Sequence, residues 1–242
     1  MADALRAELL KARSGFWLLA VLAFALLLPL FAWKFTGSSI DLDGSDSATA
    51  TRQLLGFLGL CPLAASFLGC YLVTREYYYK SIERTVLLHR RIDTFAAKCV
   101  AGAVGGLAVG VIGAGGWSLV VGLVLNDHQL VFDAGTQTWL TLICSVLACV
   151  FAGAFGIMIG WILPNYYQAT GVSLMLPMVV EVPLLLLSPD VARFLPNTAF
   201  AAIARTPVPG LFSVPVSVAI VLVWLAVVAF TGWRLFARRE IR

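Results

Sequence analysis

"VTREYYYKSIERTVLLHRRIDTFAAK", residues 73–98, carries six of the chain's seventeen Lys and Arg residues, although apolar residues dominate on both sides of it. A hydrocarbon layer roughly 30 Å thick needs about 20 apolar residues per helix. Six runs meet that length, at 16–33, 53–74, 95–125, 138–163, 168–187 and 211–236, and the quoted stretch joins the second to the third. The 242 residues are 60% hydrophobic and 12% charged, with a mean hydropathy of +0.92; in an average soluble domain about a quarter of residues are charged. The expectation is an all-α polytopic membrane protein of six transmembrane helices, a single membrane domain over residues 1–242. The gaps between runs are well below the ~50 residues of a small soluble domain.

Charge distribution sets the expected orientation. Thirteen Lys and Arg residues fall before the first run, between the second run and the start of the third (Arg75 to Lys98), and at or beyond the end of the sixth (Arg234 to Arg242), whereas Lys34, Arg52, Arg193 and Arg205 fall on the other side with most loop acids (Asp41, Asp43, Asp46, Asp127, Asp133, Asp190). Positively charged loops stay inside, which puts both termini and the quoted stretch in the cytoplasm. A cleaved leader is not expected, because the charged region would be long and acid-bearing and no small-residue cleavage site follows Trp33.

Residues 2–16 read as an amphipathic helix with Leu5, Leu9, Ala12 and Phe16 on one narrow face and Arg6 and Arg13 beside it. Such a helix lies in the headgroup layer and leads into the first span at Gly15-Phe16-Trp17; a plain cytoplasmic extension of that span is the alternative. The third run spaces Gly102, Gly106 and Gly110 four apart and the fourth holds Gly153, Gly156 and Gly160, a pattern that lets helices approach closely, within one subunit or between two. Glu181 is the one acid well inside a run, between Pro177 and Pro183. It must face protein or water, with Arg193 or Arg205 as candidate partners, in a structural or a substrate-contacting role. Residues 189–210 are apolar yet proline-broken and too short to span, and read as outer re-entrant helices.

Several chemistries are missing. None of the four lysines follows a glycine, so no GxxxxGK[ST] phosphate loop exists. His89 and His128 fall on opposite sides, and no HExxH or GxSxG occurs. "DLDGSD" in the outer loop misplaces its glycine for a calcium loop. Cys61, Cys70, Cys99, Cys144 and Cys149 show no CxxC pairing and read as small packing residues. No active site, metal site or bound cofactor is expected, and nothing suggests nucleic acid as a partner.

Within the opening stretch, residues 76–90 read as one helix. Tyr78, Ile82, Val86 and His89 recur on one ridge, and Glu76 precedes Lys80 by four. Three consecutive tyrosines with Ile82, Val86, Leu87 and Leu88 exceed what a solvated loop needs. The helix either floats on anionic lipid or presses its ridge into another protein, and docking is the favoured reading.

The order of these elements resembles the ABC-type-2 transporter permease family. The likeness is carried by "ALRAELLKARSGFW" before the first span, by "REYYYKSIERTVLLHRRIDTFAAK", similar to the family's RE-Y, I-RTLL, RR and AK pattern, and by "FGIMIGWILPNYYQATGVSLMLPMVVEVPLLLL" with "FLPNTAFAAI" after it. It covers essentially the whole chain. It implies that residues 2–16 are an interfacial elbow helix. Residues 76–90 would be a coupling helix, docking through Glu76, Tyr78, Tyr79, Ile82, Glu83, Val86 and His89 on a separate nucleotide-binding ATPase subunit that holds ATP and Mg. A second permease, another copy of this chain or a paralogue, would pair with this one in the bacterial cell membrane to export a drug, antimicrobial peptide or other amphiphile. A non-transporting scaffold or immunity protein and a secondary transporter remain as alternatives.

Overall fold

The computed structural model describes residues 2–13, 17–36, 42 and 44–239. Gly15 and Phe16 at the expected entry to the first span, and Asp41 and Asp43 of the expected outer loop, lie outside them. Among the described residues every regular element is a helix, and five helical segments are long and apolar enough to cross a membrane: Ser47–Tyr78, Arg91–Asp127, Thr136–Ile162, Tyr166–Leu187 and Val214–Arg238. The chain is therefore a polytopic helical membrane protein. A shorter apolar helix, Leu19–Phe35, lies where the first span is expected.

The elements in order are α1 (Ala2–Arg13), α2 (Trp17–Thr36), α3 (Ser47–Leu55), a 3₁₀ turn (Gly56–Leu60), α4 (Cys61–Tyr78), α5 (Ile82–Leu88), α6 (Arg91–Asp127), α7 (Thr136–Ile162) and α8 (Tyr166–Leu176). A π turn (Pro177–Glu181), α9 (Val182–Leu187), α10 (Pro189–Ala192), α11 (Pro196–Ile203) and α12 (Val214–Arg238) complete it. At a rise of 1.5 Å per residue, the 37 residues of α6 extend about 55 Å, longer than the hydrocarbon core is thick.

α4 is the centre of the bundle, packed by α2, α6, α7 and α8. Its contact with α7, and that of α7 with α6, is set by small residues. A Cβ at Gly156 would run into the Ser66 carbonyl of α4, and one at Gly106 into the Cys149 carbonyl of α7. The glycines at 102, 106, 110, 156 and 160 all pack helices within this one chain. With little apolar driving force between helices in lipid, this close backbone approach and the dispersion contact it permits hold the three together. The five cysteines are free thiols, of which Cys61, Cys70 and Cys149 are buried in these seams.

The outward surfaces are apolar. Leu119 and Leu123 on α6, Leu186 and Leu187 on α9, and Val223 and Phe230 on α12 are all exposed. So much apolar surface calls for lipid or protein around it.

One helix was expected over 76–90, and two are found. α4 ends in a Schellman motif: the Ser81 amide donates to the Glu76 carbonyl (2.9 Å) and the Lys80 amide to the Tyr77 carbonyl (3.2 Å), with Lys80 left-handed at φ 53°. α6 ends the same way at Gln129 (φ 57°) and α11 at Arg205 (φ 60°). All three motifs use a long polar residue where glycine is usual.

Two arginines close helix ends beside this turn. Arg239 donates to the carbonyls of Trp161 (2.8 Å) and Ile162 (2.9 Å) at the end of α7. Arg91 donates to the Ala237 carbonyl (2.7 Å) at the end of α12. Each satisfies carbonyls left without an intrahelical partner and opposes the negative end of the helix dipole.

Candidate functional site

The ends of α4, α7 and α12 and the starts of α6 and α8 meet at one end of the bundle, together with α1 and α5. Two lysines and two glutamates from three helices form a closed ionic cluster there. Lys98, 0% exposed on α6, sets its Nζ 2.7 Å from Glu8 Oε2, 3.1 Å from Glu76 Oε1 and 3.2 Å from the Leu72 carbonyl. Lys11 of α1 donates to Glu8 Oε1 and Glu76 Oε1, both at 2.8 Å, and to Thr85 Oγ1 of α5 at 3.2 Å. Thr85 Oγ1 also stands 3.3 Å from Glu76 Oε2.

The geometry follows from local sequence. Glu8 and Lys11 are three apart on α1 and so share a face. Glu76 is two residues from the end of α4, just before the Schellman turn folds Thr85 of α5 back over it. Lys98 lies two turns into α6 and is fully buried, so carboxylates must balance its charge. The four side chains carry no net charge together. Burial opposes the charge on Lys11, but the hydrogen bonds and charges of Glu76 and Glu8 outweigh it and raise its pKa above the ordinary 10.5. Such a network contributes little net stability against an apolar replacement, yet removing one member is costly. Its effect here is positional: α1, α4, α5 and α6 are fixed as one unit.

The expected docking residues divide between inside and outside. Glu76 is 2% exposed and Ile82 4% exposed. Both are therefore turned into the bundle, and the ridge expected to face a partner is corrected accordingly. Val86 packs against the core, and Glu83 and His89 are half-buried. The reason is the break at Lys80, which reorients α5 so that Ile82 and Val86 point inward. The outward face holds Arg84, Leu87 (86% exposed) and Leu88 (77% exposed). Tyr78 and Tyr79 are exposed but lean toward α8, with Tyr78 6.4 Å from Tyr166 between ring centres. On α1, Leu5 and Leu9 are half-buried and Arg6 is exposed, whereas among the described side chains the buried one is Glu8, a residue the apolar-face reading passed over; Ala12 and Arg13 of that reading lie outside the described side chains.

Glu181 is buried, and neither Arg193 nor Arg205 is its partner. Arg193 pairs with Asp190 at 3.1 Å, and Arg205 donates to Gln137 Oε1 at 2.7 Å. The carboxylate instead accepts from the backbone amides of Asn197 (3.1 Å) and Thr198 (3.0 Å), from Asn197 Nδ2 (2.8 Å) and from Thr198 Oγ1 (3.3 Å). These are the first free amides of α11, so Glu181 caps that helix from a neighbouring element. It also lines a cavity of about 90 Å³ with Pro62, Leu63 and Ala201.

Sequence reasoning counted Lys11 and Lys98 only as inside charges and did not use Glu8 or Thr85. A usable signal was present: "FAAKCVAG" sets a lysine in an apolar helical run, and a lysine in that setting demands an acid from elsewhere in the fold. No protein-family model matches the chain, and no curated protein matches its sequence.

Proposed function

We propose that the chain is the transmembrane subunit of an ATP-driven exporter in a bacterial cell membrane, with both termini inside and α2 as the first of six spans. Two copies would join two nucleotide-binding ATPase subunits that hold the ATP and Mg. One observation supports this reading most: α5 presents Leu87 and Leu88 outward at the end of the bundle where the cationic residues collect, while its inner side is bonded through Thr85 to the cluster on α1, α4 and α6. An apolar pair on a short helix so anchored suits a protein groove.

In this reading, closure of the ATPases pushes α5. Because Thr85, Glu76, Lys11 and Lys98 tie α5 to the inner ends of α4 and α6, the push tilts these helices rather than bending a loop. Work transmission of this kind needs two states with different contacts. The cargo is hydrophobic or amphiphilic, since the long helices carry few charges with which to hold a polar solute. Co-purification of a nucleotide-binding subunit, with ATP hydrolysis stimulated by an amphiphilic substrate, tests the proposal. Recovery of the chain from mild detergent with no ATPase would count against it and favour a silent scaffold.

A further inference from the structure

Five of the chain's six tyrosines converge with one arginine on a single cavity of about 230 Å³, lined by Tyr71, Arg75, Tyr78, Tyr79, Tyr166 and Tyr167. It lies between the end of α4 and the start of α8. The rings support one another: Tyr71 and Tyr166 meet edge to face at 6.0 Å, Tyr78 and Tyr79 at 5.1 Å, and Tyr166 and Tyr167 at 5.4 Å between centres. Arg75 is held in place, with Nη2 3.3 Å from the Lys11 carbonyl and its guanidinium 5.7 Å from the Tyr71 ring centre.

The chemistry of the lining selects its ligand. A guanidinium and phenol hydroxyls offer hydrogen-bond donors, and among the described residues no carboxylate lines the cavity, because neighbouring Glu76 turns into the lysine cluster. Aromatic walls alone would suit a quaternary ammonium, but the guanidinium repels one. An oxyanion fits, since carboxylate and phosphate both match the guanidinium fork, and in a headgroup layer the abundant oxyanion is phosphate. Location narrows the source. Tyrosines gather where hydrocarbon meets headgroups, and along α8 and the π turn Met175, Leu176 and Val179 are exposed as an apolar strip for acyl chains.

We propose that this cavity binds the headgroup phosphate of an anionic phospholipid, with Arg75 as the charged donor and the tyrosine hydroxyls as neutral ones. A free phosphate shares the headgroup chemistry but makes no use of the apolar strip. The site is independent of ATPase docking on α5, which rests on Leu87 and Leu88.

The test is native mass spectrometry of the intact chain released from detergent after incubation with phosphatidylglycerol, with phosphatidylcholine, or with inorganic phosphate. Both lipids offer a headgroup phosphate to Arg75, but phosphatidylcholine adds a quaternary ammonium that the guanidinium repels and carries no net negative charge; phosphatidylglycerol is therefore expected to be retained about tenfold more, and Arg75→Gln to abolish the preference. Because Arg75 also braces α1, a Tyr78→Phe/Tyr167→Phe variant, which keeps both rings and removes two exposed hydroxyls, is run beside it and is expected to weaken the preference several-fold. Equal retention of the two lipids by the unsubstituted chain would overturn the proposal. So would an unchanged preference in both variants, or retention of inorganic phosphate without lipid preference, which would assign the cavity to a soluble anion.

Discussion

Lys98 and Glu8 are ninety positions apart in the chain, yet their side chains meet at 2.7 Å in the interior, which fastens α1 to the Arg91 end of α6. Replacing Lys98 by Met leaves Glu8 and Glu76 with only Lys11 between them. An uncompensated buried carboxylate costs about 3–5 kcal/mol, to be read as the loss in unfolding free energy in detergent. The double variant Glu8→Gln/Lys98→Met restores neutrality and is expected to recover part of that loss, a coupling that a double-mutant cycle measures.

The pH dependence of this cluster has a definite sign on the Lys11 side. Its pKa in the folded chain lies above the ordinary 10.5 because Glu76 and Glu8 hold the ammonium. The contribution is therefore complete below the unfolded value and is lost only as pH rises through the higher folded value. Unfolding midpoints of the parent chain and of Lys11→Gln should differ by a constant amount across neutral pH and converge in strong alkali. Convergence at acid to neutral pH from this group would contradict the assignment.

Glycine positions split by what surrounds them. Gly156→Ala drives a methyl group into the Ser66 carbonyl, and the α4–α7 seam must open; a loss of about 1–3 kcal/mol is expected, as for other overpacked sites. Gly115 and Gly122 on α6 have no neighbour within 4 Å of the position a Cβ would take. Alanine there should be neutral or stabilising by up to about 1 kcal/mol through helix propensity. Thermal unfolding of the three variants in one detergent distinguishes these outcomes.

Glu181 should behave as a cap. Glu181→Ala strands the amides of Asn197 and Thr198 in the interior and is expected to lower stability by about 1–3 kcal/mol, with a smaller loss for Glu181→Gln, which keeps one acceptor oxygen. Transport per folded molecule should be unchanged in the Gln variant; a selective loss of transport with normal unfolding would return the residue to the substrate path.

The helical segments were legible because a long apolar run has few other ways to satisfy its backbone in lipid. Their ends were less so. The turn at Lys80 escaped notice since left-handed helix stops are signalled by Gly, and here Lys80, Gln129 and Arg205 take that conformation without one. Misreading that turn placed Ile82 outside when it is inside. The ionic cluster was hidden for a different reason: helical periodicity relates residues within one helix, whereas Glu8, Glu76 and Lys98 come from three. Glu181 was expected to face protein or water, with Arg193 or Arg205 as candidate partners; backbone amides leave no trace in sequence, so the amides of Asn197 and Thr198 were not among the candidates.

The central claim is that α5 receives an ATPase through Leu87 and Leu88. A photo-crosslinking amino acid placed at position 87 or 88 in native membranes tests it most directly, with mass spectrometry of the adduct. The account predicts a crosslink to a subunit bearing a phosphate-binding GxxxxGK[ST] loop, with a yield that changes on adding ATP. Adducts to lipid alone, or to no protein while such a subunit is crosslinked from another region of the chain, would contradict it.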